Sequence, residues 1–182
     1  MQLKPQDIMV AGKFLSYAGS RPAISIIANQ LAMSPSEVHA AIKRLQNARL
    51  LHGPEMNNKP NISALEEFLL HGLKYAFPAE HGAVTRGMPT SYAAPPLKAE
   101  IHPTDELPPV WPWSEGKVRG IALQPLYKTA PIAAAQDVLL YEFLALLDAI
   151  RDGRARERKI AEKQLIANLK RINGTPESGI TS

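Results

Sequence analysis

Cysteine is absent from the chain. That removes disulfide staples, thiolate ligation of zinc or iron–sulfur clusters, and a thiol nucleophile, and it fits a protein of the reducing cytoplasm. Long hydrophobic runs are absent as well. No stretch approaches 18 uncharged apolar residues, so a membrane span is not expected. The opening "MQLKPQDIMVAGKF" lacks the apolar core of a signal peptide, which argues against secretion. The histidines His39, His52, His71, His81 and His102 never fall in HExxH or another close ligand spacing, and no GxSxG occurs. His71 and Tyr75 lie one turn apart, a spacing that helix packing explains. "GAVTRGMPTS" places glycines near an Arg and a Thr, but without the GxxxxGK[ST] spacing of a phosphate loop. The expectation is a non-enzymatic protein with no cofactor and no metal.

What is present is a 182-residue chain with 45% hydrophobic residues, enough to bury a real core. The net charge is +4, unevenly placed. Residues 1–77 carry eight Lys/Arg against five Asp/Glu, residues 78–150 five against eight, and residues 151–182 eight against four. Two basic ends flank an acidic middle, so a polyanion is expected at the ends.

Three helical patterns open the chain. The first spans about Pro5 to Tyr17, with Ile8, Met9, Ala11, Gly12 and Leu15 as an apolar stripe, and "YAGSRP" ends it. The second is "SIIANQLAM", with Ser25 as its cap and Ile27, Leu31 and Ile24 facing inward. The third starts at Pro35 and runs to about Asn47. Ser34 caps it, Pro35 suits its first position, and Glu37 stands where its carboxylate reaches back to the cap amide. At 100° per residue Val38, Ala41, Ile42 and Leu45 share one arc. The opposite arc holds Ser36, Ala40, Lys43 and Asn47, flanked by His39, Gln46 and Arg44. Small residues let a helix approach a groove, polar ones meet base edges, and Lys and Arg meet phosphate. "ARLLHG" follows as a short strand and "PEMNNKPN" as a polar turn.

Two short helices, a tight turn and a capped third helix with a basic outer face make helix-turn-helix geometry. The segment "SIIANQLAMSPSEVHAAIKRLQNARLL" resembles the winged-helix DNA-binding domain of bacterial transcriptional regulators of the MarR-like kind. The resemblance covers residues 5 to about 60. It implies that Ser34, Ser36, His39, Lys43 and Arg44 face double-stranded DNA, with Lys59 in the wing. It also implies a homodimeric, sequence-specific regulator acting as a repressor. Two departures stand out: Ala48-Arg49 lacks the glycine usual before "LL", and no clear second wing strand follows.

"NISALEEFLLHGLKYAFP" carries a second capping box, Ser63 with Glu66, and Pro78 ends it. Ten of the sixteen prolines then fall in residues 78–131, together with Tyr92, Trp111, Trp113 and Tyr127. So many aromatics favour an ordered, largely extended segment wrapped over helices, with short strands at 117–123. Trp111, Trp113 and the acidic "PTDELPP" form a candidate protein-binding surface. Beyond it, a helix from about Ala134 to Ile150 is apolar nearly all round and calls for burial or a second subunit. Gly153 interrupts it, and Arg154 to Arg171 form a basic amphipathic helix. The cluster "RDGRARERK" touches phosphate, pairs with the acidic middle, or is solvated. Arg21, Arg154 and Arg156 are the phosphate candidates.

The expected fold is mainly α: a winged helix-turn-helix with a linking helix (1–77), a proline-rich extended segment (78–131), a helical dimerisation or partner-binding region (132–173) and a flexible tail (174–182). The alternative to a DNA-binding regulator is an adaptor or antitoxin-like protein that binds a protein partner.

Overall fold

The computed structural model describes residues 1–17, 20–54, 57–102 and 104–174. The expected tail, apart from Gly174, lies outside them. Mainly helical, the chain carries two small sheets.

Helix α1, Pro5–Leu15, lies at the centre. Pro5 fits its first turn, and the Asp7 carboxylate accepts the Lys4 backbone N–H at 2.8 Å. Every residue from Asp7 to Leu15 is buried, so the helix carries no single apolar stripe. The reason is that other helices close over its polar positions. Lys13 Nζ donates to Asp137 Oδ2 at 2.6 Å, and Gly12 leaves room for the ring of Phe143. Helix α2, Ile24–Leu31, has Ala23 at its N-cap with no side-chain cap bond. Ser25, expected as the cap, therefore lies within the helix. Ile27 and Leu31 are buried, as the pattern predicts. The helix stops where Ala32 turns left-handed (φ 51°) and the Met33 N–H donates to Ala28 O.

Helix α3, Pro35–Asn47, has the expected capping box: the Glu37 N–H donates to Ser34 Oγ at 3.2 Å and the Ser34 N–H to Glu37 Oε2 at 2.8 Å. Arg49 supplies the left-handed turn after it (φ 61°), the task a glycine performs at less strain. Strands β1, Leu51–His52, and β2, Lys59–Pro60, pair antiparallel with Leu51 opposite Pro60. The second strand expected to be missing is therefore present, only very short; a proline in a two-residue strand leaves little periodicity to detect.

Residues 62–76 form one helical run: α4, Ile62–Glu67, a π-helical turn, Phe68–Gly72, and α5, Leu73–Ala76. Its cap is Asn61, whose Oδ1 accepts the Ala64 N–H at 3.3 Å, rather than the expected Ser63 box.

Residues 78–131 are more structured than an extended wrap. Strand β3, His81–Pro89, pairs antiparallel with β5, Val118–Leu123, along its first part and with β4, Pro109–Pro112, at its end. β4 and β5 pair in parallel, which closes the three strands on themselves. So tight a closure leaves no room for side chains at its crossings. A Cβ on Gly87 would meet the backbone of Trp111, and one on Gly120 that of Pro108.

Helix α6, Ala130–Gln136, leads into α7, Val138–Asp152, with Asp137 between them capping α7 through the Leu140 N–H at 3.1 Å. The helix expected to begin near Ala134 is thus two helices. Leu140 and all residues from Leu144 to Ile150 are buried within one chain. Gly153 breaks the run as expected, and α8, Ala155–Gly174, packs back along α7.

Candidate nucleic-acid interface

The rest of the chain leaves one arc of α3 uncovered. Val38, Ala41, Ile42 and Leu45 are buried, whereas Ser34, Pro35, Ser36, Lys43 and Asn47 are exposed. His39 and Ala40 are half-buried beside them. Ser34 Oγ and Ser36 Oγ lie 3.1 Å apart, which draws the first turn together. The arc is small at its start and cationic at Lys43. Lys59 is half-buried on β2, opposite the exposed His52.

Arg44, expected to face DNA, does not belong to this surface. It is buried, with Nε donating to Asp7 Oδ2 at 2.8 Å and Nη2 to Asp7 Oδ1 at 2.7 Å. The paired carboxylate raises the Arg44 pKa above its ordinary value. Asp7 is fully buried, so the two charges neutralise each other between α1 and α3. Helical position alone cannot separate Arg44 from Lys43, because its partner lies 37 residues away. The one available signal was Asp7 itself, an acid inside an otherwise apolar helix.

The end of α2 and the first turn of α3 are held from outside the N-terminal helices. Tyr127 Oη donates to Glu37 Oε1 at 2.5 Å, and Thr129 Oγ1 donates to the Leu31 carbonyl at 2.9 Å. The Tyr127 hydrogen bond, followed by those from Ser34, lowers the Glu37 pKa to about 2. The same bond raises that of Tyr127. Sequence reasoning missed both clasps.

The remaining candidates separate. Arg21 is half-buried, its guanidinium 5.2 Å from the centre of the Phe14 ring, and burial lowers its pKa. Arg154 is exposed and bound to Glu106 at 2.9 Å and 3.1 Å, which answers part of the "RDGRARERK" question in favour of pairing with the acidic middle. Arg156 is exposed near the start of α8. Trp111, expected on a partner surface, is buried. Its indole N–H donates to Asp148 Oδ2 at 2.7 Å, where Thr90 Oγ1 also donates at 2.6 Å. A Trp in a proline-rich stretch looks exposed from sequence because the buried carboxylate that receives it is 37 residues away. Trp113 is half-buried.

The apolar surface of α7, expected to pair two copies, is also narrower than its sequence suggests. Leu140, Leu144, Leu146 and Leu147 are covered by the chain itself, Phe143 is half-buried, and Leu139 is 62% exposed beside Val138 at 69%. Leu139 is part of the wall of a 310 Å³ groove lined also by Gly12, Leu15, Phe143, Leu165 and Leu169.

Among the described residues, no group of three or more His, Asp or Glu side chains is placed to hold a metal ion, and no helix is long and apolar enough to cross a membrane. No family model, curated protein or solved structure matches this chain.

Proposed function

We propose that this chain is a sequence-specific double-stranded DNA-binding regulator of the winged helix-turn-helix kind, with α3 as its recognition helix. The observation that carries the proposal is the uncovered arc of α3, capped at Ser34 and cationic at Lys43, on a helix whose other faces are packed. Ser34 and Ser36 approach the groove, His39 lies alongside, and Lys43 meets phosphate. Lys59 on the short hairpin is the wing contact. Occupying a site in this way blocks other proteins from it, which is repression in its simplest form.

A second copy joined through Val138, Leu139 and the adjoining groove gives two recognition helices and a two-fold site. That patch is narrower than the whole α7 surface.

The test is selection of bound fragments from a genomic DNA library, followed by titration of the enriched sequence against Ser36→Glu and Lys43→Gln variants. Both variants are expected to keep the far-ultraviolet spectrum of the wild type and to bind at least about tenfold more weakly, with a reduced salt slope for Lys43→Gln. Wild-type affinity in both rejects α3 as the reading element.

A further inference from the structure

The β3–β5 ladder places Arg86 directly opposite Arg119. Directly paired residues of an antiparallel ladder share a face, with Cβ atoms about 5 Å apart, and like charges in that position are destabilising. Both arginines are exposed, and neither is in an ion pair with a carboxylate among the described residues. Lys117 is exposed two residues before Arg119, immediately ahead of β5. The nearest acid in sequence is Glu115, in the turn before Lys117. Elsewhere in the chain the buried or bridging arginines have found partners: Arg44 takes Asp7, Arg151 takes Asp148 and Arg154 takes Glu106. The cross-strand pair lacks such a partner, on a ladder whose neighbouring pair on that face is the apolar Val84 and Ile121.

From this geometry we infer a phosphodiester-binding site on the β3–β5 face, in which Arg86 and Arg119 straddle the backbone of a nucleic acid and Lys117 adds a third contact. Two planar guanidinium groups at ladder spacing match adjacent phosphate oxygens, and the incoming charge relieves the repulsion between them. The contact is to backbone and therefore independent of sequence. It stands whether or not α3 reads bases.

The test compares wild type, Lys43→Gln, Arg86→Gln/Arg119→Gln and the triple variant. Each is titrated with a mixed-sequence DNA duplex and with polyglutamate over a series of salt concentrations. For the arginine double variant the expected results are an affinity for the duplex lowered about tenfold and a salt slope reduced by about 1.8, the release expected from two phosphates. Its thermal midpoint is expected to rise by about 1–3 °C, since removing a like-charge pair relieves strain; a purely structural pair gives a fall. If wild type binds the duplex and only Lys43→Gln weakens it, the ladder site is overturned and the α3 reading stands. If only the arginine variant weakens it, the ladder site stands and α3 fails. Absence of duplex binding by wild type overturns the ladder site and leaves the α3 reading to be judged on its selected sequence, and a loss confined to polyglutamate replaces the phosphodiester with an acidic polypeptide.

Discussion

Arg44 and Asp7 show how much depends on one pair. With the guanidinium gone, the Asp7 carboxylate is left buried and uncompensated, a loss of about 3–5 kcal/mol in comparable pairs. Arg44→Met is therefore expected to lower the urea midpoint sharply, while Asp7→Leu/Arg44→Met recovers most of it. Equal midpoints for Arg44→Met and wild type would refute the buried-pair reading. Glu37 supplies a pH-dependent term. Its pKa falls from 4.5 in the open chain to about 2 when folded, so its contribution is present above about pH 4.5 and is lost as pH falls toward 2. Glu37→Gln and Tyr127→Phe are both expected to flatten stability against pH within that window. Urea midpoints measured across it give the check, and an acid limb like that of wild type in both variants counts against the clasp. Local chemistry such as the Ser34–Glu37 box is legible because its atoms are three residues apart. Asp7–Arg44 and Glu37–Tyr127 are not, because nothing in a one-dimensional pattern says which buried acid meets which donor.

At the scale of elements, helices whose signals are short-range were legible: α3 with its Ser-Pro start, the stop of the run at Pro78 and the break at Gly153. The closed three-stranded unit was not, apart from β5. Its prolines mask strand periodicity, and its defining residues are glycines whose purpose shows only where two backbones cross. Gly87→Val is expected to open the unit, since the added carbon meets Trp111 backbone. Trp111 would then lose its hydrogen bond to Asp148, so its emission should shift to longer wavelength. Asp148→Leu acts on the same junction from the helix side. It strands the Arg151 guanidinium, which donates to Asp148 at 2.8 Å and to the Phe77 carbonyl at 2.9 Å, and costs about 3 kcal/mol or more. Hydrogen exchange in residues 81–89 separates the two ideas: protection lost in both variants places the junction at Trp111–Asp148, whereas protection kept in Asp148→Leu shows that the strands stand alone.

For the whole molecule, the distribution of charge gave a usable outline. The acidic middle does fold against a basic end, through Glu106 with Arg154 and Glu100 with Gln164. The breadth of apolar surface on α7 was also apparent, but one chain covers most of it, since α1 and α8 both lie against that helix. Sedimentation equilibrium in the micromolar range is expected to give a dimer that Leu139→Asp converts to a monomer. A mass near 19.9 kDa for wild type at every concentration would remove the two-fold site. The clasp of Tyr127 and Thr129 on the α3 turn has a consequence in time. Ribosomes deliver α3 long before its clasp: Thr129 follows Leu31 by 98 positions, and Asp137 follows Lys13 by 124. Contacts so distant in sequence form late, because the intervening loop must close first. The clasp on the turn between α2 and α3 is therefore added only after Thr129 has emerged, and a polypeptide stalled near residue 77 carries α3 packed on α1 and α2, with Arg44 on Asp7, but without that clasp.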